Sequence, residues 1–245
     1  VPILSGHLGG ANDLARALAA VCGAVPVITT ATDANGVFAV DAWARHQNCA
    51  VLEPERIKRV SSRLLAGGPV RYRSEFPIAG QAPAGVVPAG EAERADFVLT
   101  LFPAGDALHL IPKIGVLGIG CRRGTSAAQL EAAFAQFCAV HGLAAVCITA
   151  AASIDLKAEE PGLLEFCRIH GWPVQFYSAA QLQNVPGQFT PSAFVRSVTG
   201  VDNVCERAAV LAAGGTIILP KQAGNGVTFA LALRPFAPNW RWQDA

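Results

Sequence analysis

Short apolar runs that suit β-strands alternate along the chain with stretches in which apolar residues recur at helical spacing. In the first part of the chain this pattern predicts strands at 1–4, 25–30, about Val70 and 97–102, with helices at 12–22, 37–46 and 55–65. From Lys113 a second series predicts strands at 114–119, 144–150 and 173–177, helices at 126–141, 159–170, 192–198 and 204–213, and a hairpin of 216–219 with 227–233. Such alternation indicates an α/β protein.

The two series are separated by a stretch that is rich in Pro, Gly and Ala between 77 and 90 and typical of a linker. The predicted fold class is therefore α/β with two α/β domains. The first domain has a mostly parallel sheet, and the second is a three-layer sandwich with a mixed sheet. The predicted boundaries are 1–73 for the first domain, 74–112 for a central linker region, 113–235 for the second domain and 236–245 for a tail.

Composition excludes several classes of protein. Hydrophobic residues make up 52% of the chain and charged residues 15%, which excludes a disordered protein. The net charge of +1 gives no electrostatic footprint for nucleic acid. The uncharged stretch 132–154 is interrupted by His141, Gly142 and other polar residues, so we expect a helix, a turn and a strand there, with no membrane partner.

The seven cysteines are scattered and form no CxxC pair. Most lie in apolar stretches, which is typical of buried thiols in a reducing cytoplasm and predicts neither a disulfide framework nor a metal site. The chain contains no Met and begins at Val1. We therefore expect the natural protein to begin further upstream.

Two segments near the start of the chain carry candidate ligand-binding residues. The first is a glycine-rich turn between a predicted strand and a predicted helix, where free backbone N–H groups attract an anion and His7 can act as a base. The second follows the next strand, at the edge where α/β sheets bind ligands. The candidates are Ser5, Gly6, His7, Gly9, Gly10 and Asn12, and then Thr29, Thr30, Thr32 and Asp33. The alternatives are a tight turn with a surface His and ordinary helix capping.

The segment 118–126 combines a strand end, a glycine turn, two adjacent arginines and hydroxyl residues before a helix. Backbone donors and guanidinium groups together form a receptor for carboxylate or phosphate. Its candidate residues are Gly120, Cys121, Arg122, Arg123, Thr125 and Ser126. The alternative is an ordinary corner with solvated arginines. The segment is neither a P-loop nor a good dinucleotide fingerprint.

Acidic and basic residues also gather after the next predicted strand, where Ser153, Lys157 and Glu160 are candidates. Further along, Glu206 lies in an apolar run and Lys221 follows a strand. A carboxylate in such surroundings can act as an acid or base. The alternatives are a self-paired helix start for the first group and, for Glu206, pairing with Arg207 or exposure to water.

Six basic residues occur between Glu55 and Glu75 without an acidic one. An exposed helix face is the favoured interpretation, and a surface that faces a polyanionic substrate is the alternative. These residues are Arg56, Lys58, Arg59, Arg63, Arg71 and Arg73.

Taken together, these motifs resemble the CbiG family of cobalamin-biosynthesis proteins, the cobalt-precorrin-5A hydrolases of the oxygen-independent pathway. The C-terminal domain of that family is shared with CobE. The matching segments, in chain order, are 2–12, 26–33, 115–125, 153–157 with Glu160, 200–201 with 206–209, and Lys221. Family members carry about one more strand and helix before the Ser-Gly-His motif, so the resemblance implies a first domain that is incomplete at its start.

The resemblance implies a cytoplasmic enzyme of cobalamin and porphyrin biosynthesis, a hydrolase acting on a carbon–carbon bond. It opens the ring-A δ-lactone of cobalt-precorrin-5A, releases acetaldehyde and gives cobalt-precorrin-5B. Cobalt arrives within the substrate, so no cofactor is expected. The residues allow Glu160, Glu206 or His7 to activate water and Lys157 or Lys221 to stabilise the oxyanion, while the glycine-rich helix starts and the paired arginines bind carboxylates.

Two partners besides the substrate are expected from the resemblance, a precorrin methyltransferase of the same pathway and a second copy of the chain. The competing hypothesis for the function is a non-catalytic protein of the CobE type that binds or hands over a corrinoid intermediate. A third hypothesis, a nucleotide-dependent enzyme, rests on the glycine loops alone.

Overall fold

The computed structural model describes residues 11–25 and 36–242. The chain divides into two compact units. The first unit comprises Val1–Pro112 and Ala237–Ala245, and the second unit comprises Lys113–Phe236.

Helices and strands alternate in both units. Within the described residues the helices are α1 (Ala11–Cys22), α2 (Val40–His46), α3 (Ile57–Leu65), α4 (Ala127–His141), α5 (Pro161–His170), α6 (Ala179–Gln183), α7 (Ala193–Thr199) and α8 (Cys205–Ala213). The strands are β1 (Cys49–Val51), β2 (Val70–Ser74), β3 (Val86–Pro88), β4 (Phe97–Leu99), β5 (Leu108–Pro112), β6 (Gly115–Cys121), β7 (Ile148–Ile154), β8 (Val174–Tyr177), β9 (Thr216–Gly224) and β10 (Val227–Leu233). Short 3-10 turns lie at Pro54–Arg56, Ala145–Cys147 and Asp155–Lys157.

The first unit contains a five-stranded sheet in the order β1-β5-β4-β2-β3. Only the pairing of β1 with β5 is antiparallel among these strands. The sheet is therefore mostly parallel, as the sequence predicts. Strand β5 is buried along its whole length, and Phe97 of β4 contacts the rings of Phe38 and Trp43 at centroid distances of 6.1 and 5.9 Å.

The stretch 74–112, which was predicted to be a linker, is folded into the first unit. It supplies β3, β4 and β5 to the first sheet, and it belongs to the first unit. Two of these strands are only three residues long, too short for an alternating pattern to show in the sequence. The end of the chain also belongs to the first unit, where Trp240 is buried and stacks on Trp43 at 5.2 Å.

The second unit is a three-layer sandwich around a mixed sheet in the order β8-β7-β6-β10-β9. Strands β6, β7 and β8 are parallel, and β10 pairs antiparallel with β6 and β9. On one face Phe134 of α4 and Phe166 of α5 contact Phe229 of β10 at 6.0 and 6.3 Å. On the other face α8 packs so closely that a Cβ at Gly118 would overlap the carbonyl oxygen of Cys205.

Several element boundaries in the second unit also differ from the sequence expectations. The strand expected at 144–150 lies at Ile148–Ile154, because residues 145–147 form a 3-10 turn first. Helix α6 was not expected, although Ser178 and Gln181 form a capping box at its start. No helix among the described residues is long and apolar enough to cross a membrane.

Candidate functional site

A cleft of about 930 Å³ opens at one edge of the second sheet. The parallel strands β6 and β7 end there, and the antiparallel β10 begins there, so the ends of three neighbouring strands meet. Helix α7 and the start of α8 form the opposite wall. The carboxyl ends of parallel strands are where open α/β sheets bind ligands.

Half-buried Lys157 and buried Glu160 form an ion pair in this cleft, with 3.0 Å between Nζ and Oε2. The other carboxylate oxygen of Glu160 accepts a hydrogen bond from the backbone N–H of Gly124 at 2.6 Å. The hydrogen bond from Lys157 is the largest influence that lowers the pKa of Glu160 below 4.5. Glu160 is therefore an anion at neutral pH, and it joins the loop after β6 to the turn after β7.

A thiol and two hydroxyls line the floor of the cleft beside this pair. Burial raises the pKa of the Cys121 thiol, although Lys157 opposes the shift, so the sulfur is protonated at neutral pH. Ser153 is fully buried and donates to the carbonyl of Ile119 at 2.7 Å, which joins the ends of β7 and β6. Thr228 donates to the carbonyl of Gly120 at 3.3 Å.

In the loop 122–126, two residues have a structural role and two line the cleft. Thr125 donates to the carbonyl of Arg122 at 2.8 Å, and Ser126 forms a capping box with Gln129 at the start of α4. These bonds give both hydroxyls a structural role, as the ordinary-corner alternative predicts. Arg122 and Arg123 line the cleft, and their guanidinium groups make no hydrogen bond or ion pair with any residue that the structure describes. The charge of Arg123 also helps to lower the pKa of Glu160, while Arg122 has no anionic partner among the described residues.

Glu206 is buried, and donors surround both of its carboxylate oxygens. Oε1 accepts from the Thr190 hydroxyl at 2.9 Å and from the backbone N–H of Lys221 at 2.6 Å. Oε2 accepts from the backbone N–H of Thr190 at 2.7 Å and from Asn203 Nδ2 at 2.6 Å. Arg207 pairs with Asp202, so the alternative of a Glu206–Arg207 pair is absent from the described ion pairs, and burial excludes the alternative of exposure to water. Glu206 ties together three segments around the cleft.

Lys221 lines the cleft, and its ammonium group donates to the carbonyl oxygens of Thr190 and Pro191 at 2.9 and 3.5 Å. Its charge is therefore held beside the 190–191 loop. Asn203 also lines the cleft, and its side-chain amide donates to the carbonyl oxygen of Thr190 and to Oε2 of Glu206.

Apolar side chains from the turn after β7 and from α7 also line the cleft and are open to solvent, a feature that the sequence patterns do not predict. Leu156, Phe194 and Val198 are 64%, 71% and 61% exposed. The signal in the sequence is the segment Ala193–Thr199, a short helix with three large apolar residues and one charge. An exposed apolar surface beside a polar cleft is typical of a ligand-binding site.

The candidate residues near the start of the chain fall outside the residues that the structure describes, apart from the backbone of Asn12. Residues 5–10 and 29–33 lie outside the described residues, and Asn12 is placed in α1 without a described side chain. Most of the second-unit candidates line the cleft: Gly120, Cys121, Arg122, Arg123, Ser153, Lys157, Glu160 and Lys221. Thr125, Ser126 and Glu206 are not among the residues that line it.

Comparison with known proteins matches the chain to two family models. The model described as cobalamin synthesis G C-terminus matches residues 115–232, and the model described as cobalamin synthesis G N-terminal matches residues 1–33. The C-terminal match includes both strands that end at the cleft.

Three curated proteins are similar over long stretches. Cobalt-precorrin-5A hydrolase of Priestia megaterium is 32% identical over 96% of this chain and 69% of its own length. The protein of the same name from Salmonella typhimurium is 32% identical over 95% of this chain and 71% of its own length. Protein CobE of Sinorhizobium sp is 36% identical over 53% of this chain and 88% of its own length.

Proposed function

The chain belongs to the CbiG family, and we propose that it catalyses the hydrolysis of cobalt-precorrin-5A in cobalamin biosynthesis. The observation that carries the proposal to particular residues is the Lys157–Glu160 ion pair in the cleft at the ends of β6 and β7. In this proposal the reaction takes place in that cleft.

The surface of the cleft suits a large amphipathic ring that carries carboxylates. Arg122 and Arg123 offer guanidinium donors, which bind carboxylates in a fork. Leu156, Phe194 and Val198 offer an apolar surface for the face of a macrocycle. A corrin precursor with acetate and propionate side chains presents both kinds of surface.

The proposed reaction breaks two bonds in sequence. Water adds to the lactone carbonyl carbon, and the ring C–O bond breaks to leave a carboxylate and an alcohol. Loss of the alcohol proton then forms the C=O bond of acetaldehyde. The C–C bond to the macrocycle breaks, and its electron pair passes into the conjugated ring. Both steps need a proton acceptor and a stabilised oxyanion.

Lys157 and Glu160 are the groups that we propose for these roles. Lys157 has N–H donors beyond the one that Glu160 accepts, so it can stabilise the oxyanion. Glu160 is ionised and has lone pairs left to accept a proton of the attacking water. A carboxylate with a lowered pKa is a weak base, so we assign it mainly the placement of the water and of Lys157. His7 stays proposed as the alternative base.

We propose different roles for Glu206 and Lys221. The four hydrogen bonds on Glu206 hold Thr190, Asn203 and the backbone of Lys221 in position around the cleft. We therefore propose Glu206 as a positioning residue, with Lys221 as a cation at the margin of the substrate. Ser5, Gly6 and the other residues of the N-terminal motifs stay proposed as carboxylate-binding groups of the first unit.

A second candidate function is corrinoid binding without catalysis. It is favoured by the CobE match, which covers 88% of that protein and falls on about half of this chain. Three finer expectations also stay proposals: a cytoplasmic location, a precorrin methyltransferase partner and a homodimer. Cobalt belongs to the substrate in either function.

Anaerobic incubation of the full chain with cobalt-precorrin-5A tests the proposal. We expect one acetaldehyde per corrinoid and a product mass that corresponds to one water gained and one acetaldehyde lost. Corrinoid that stays bound to the protein without any release of acetaldehyde would contradict the hydrolase and favour the CobE-type function.

A further inference from the structure

A second cleft, of about 840 Å³, lies in the first unit and is lined by arginines. Arg59 and Arg63 come from α3, Arg71 and Arg73 from β2, and Arg94 from the loop before β4. A helix, a strand and a loop thus direct five guanidinium groups to one concavity. Lys58, Arg59 and Arg63 are exposed, as expected of a helix face, and four arginines of the basic stretch also line this cleft.

Carboxylates neutralise part of this charge. Arg63 pairs with the buried Asp96 at 2.8 Å, and Arg71 pairs with Glu93 at 2.9 Å. Arg59 approaches Asp106 at 3.6 Å. Five arginines therefore face three carboxylates in the lining of the cleft.

Two of the arginines keep their charge unneutralised within the described residues. Arg73 donates only to the backbone carbonyls of Gly90 and Glu93, both at 3.2 Å. Arg94 makes no hydrogen bond or ion pair with the part of the chain that the structure describes. The backbone contacts fix the position of Arg73 without cancelling its charge, which is the arrangement expected of an anion receptor.

The size of the cleft indicates the kind of anion. Ligand sites for small molecules measure about 300–1,000 Å³, and this cleft falls in that range. One isolated phosphate or acetate would occupy a small part of it. Several separated guanidinium groups match a ligand with several separated anionic groups.

We propose that the arginine cleft of the first unit binds a small polyanion, a molecule that carries several carboxylate or phosphate groups. This site consists of first-unit residues alone and is independent of the proposed hydrolysis. Its occupancy depends on exposed charges, so binding weakens as salt increases.

Isothermal titration of the full chain at low salt with citrate, tripolyphosphate and the octacarboxylate uroporphyrin tests the proposal. At least one of these probes is expected to bind with one-to-one stoichiometry. The double variant Arg59→Gln, Arg94→Gln should then weaken that binding by about tenfold or more, because it removes two charge-assisted donors. The tighter of the carboxylate and phosphate probes identifies the anionic group.

The matched control is Lys58→Gln, Lys113→Gln, which removes the same charge, partly from the same helix, at residues that do not line the cleft. It should retain binding within about twofold. Binding of none of the probes, or an equal loss in both double variants, would overturn the proposal. Thermal unfolding of both variants checks that the fold is kept.

Discussion

At the scale of single residues, the second unit contains two buried carboxylates with different surroundings. Glu160 accepts one backbone N–H and one ammonium group and lies in the cleft lining. Glu206 accepts four hydrogen bonds from three residues and lies behind the cleft. The first arrangement leaves a charged pair in the lining of the cleft, and the second uses the carboxylate to hold the surrounding segments together.

The ion pair of Glu160 predicts how the stability of the protein responds to acid. Because the folded-state pKa of Glu160 lies below 4.5, the pair stabilises the fold above that pH and loses its contribution as the pH falls further. We expect the difference in unfolding free energy between the protein and Glu160→Gln to be constant from about pH 8 to pH 5.5 and to shrink below about pH 4.5. Urea titrations across this range measure it. A difference that changed between pH 6 and 8 would contradict the assignment.

Glu206→Gln should destabilise the second unit by about 3 kcal/mol, because a glutamine amide places N–H donors against donors that now lack an acceptor. Urea unfolding of the full chain measures the loss. The control is Glu165→Gln, an exposed carboxylate on α5 that pairs with Arg168. It should cost less than about 1 kcal/mol. Equal stability of the two variants would show that the network around Glu206 is not structural.

Only some of these contacts between single residues could be predicted from the sequence. The proximity of Lys157 to Glu160 follows from their spacing across one helix start. The structural role of Glu206 does not follow from the sequence, because two of its donor residues, Thr190 and Lys221, lie 16 and 15 positions away along the chain. Long-range hydrogen bonds of this kind leave no local pattern.

At the scale of elements, the contact between β6 and α8 determines how the cleft is built. Gly118 allows the carbonyl of Cys205 to lie directly against the strand, and the same approach brings the start of α8 to the cleft wall. The sequence showed a glycine between apolar residues, which indicates a strand or a ligand loop equally well. Only the partner helix explains why no side chain fits there.

Gly118→Ala should therefore destabilise the second unit by at least about 3 kcal/mol, since the new methyl group forces α8 away from the sheet. Gly224→Ala is the matched control, because a Cβ at that position would meet no atom within 4 Å. Thermal unfolding followed by circular dichroism compares the two. Similar melting temperatures would contradict the close packing of α8 on β6.

Elements with clear signals were predicted well. Helix α4 begins one residue after the expected start and ends at the expected residue, His141. Its limits are clear in the sequence because Ser126 caps its start and Gly142 adopts a left-handed conformation at its end. Strands β1, β3 and β4 are three residues each, and β1 and β3 were not expected at all. Such short strands are defined by their neighbours in the sheet, so they could not be derived from periodicity.

At the scale of the whole molecule, the chain leaves the first unit at Pro112 and returns to it at Ala237. The returning segment is held by Trp240, which contacts Trp43 and Tyr72 at 5.2 and 4.9 Å. The indole N–H of Trp43 also donates to the carbonyl of Asn239 at 2.7 Å. Within the described residues, the segment predicted as a separate tail thus contributes Trp240 to the aromatic core of the first unit.

Trp240→Ala should destabilise the first unit by about 3–5 kcal/mol, because it removes a buried ring from an aromatic cluster. Hydrogen exchange resolved by mass spectrometry can assign the loss to peptides of each unit. We expect faster exchange in β2 and β4 and unchanged exchange in β6 and β7. If β2 and β4 were equally protected from hydrogen exchange in the unaltered protein and in Trp240→Ala, this role of Trp240 would be contradicted.

The central claim is that the second-unit cleft hydrolyses a cobalt-precorrin through Lys157 and Glu160. Its most direct test is the release of acetaldehyde from cobalt-precorrin-5A in single turnover by the unaltered protein and by Glu160→Gln, with Glu165→Gln as control. We predict release by the unaltered protein and the control, and a rate lower by about 100-fold or more in Glu160→Gln. Undiminished release by Glu160→Gln would contradict the claim.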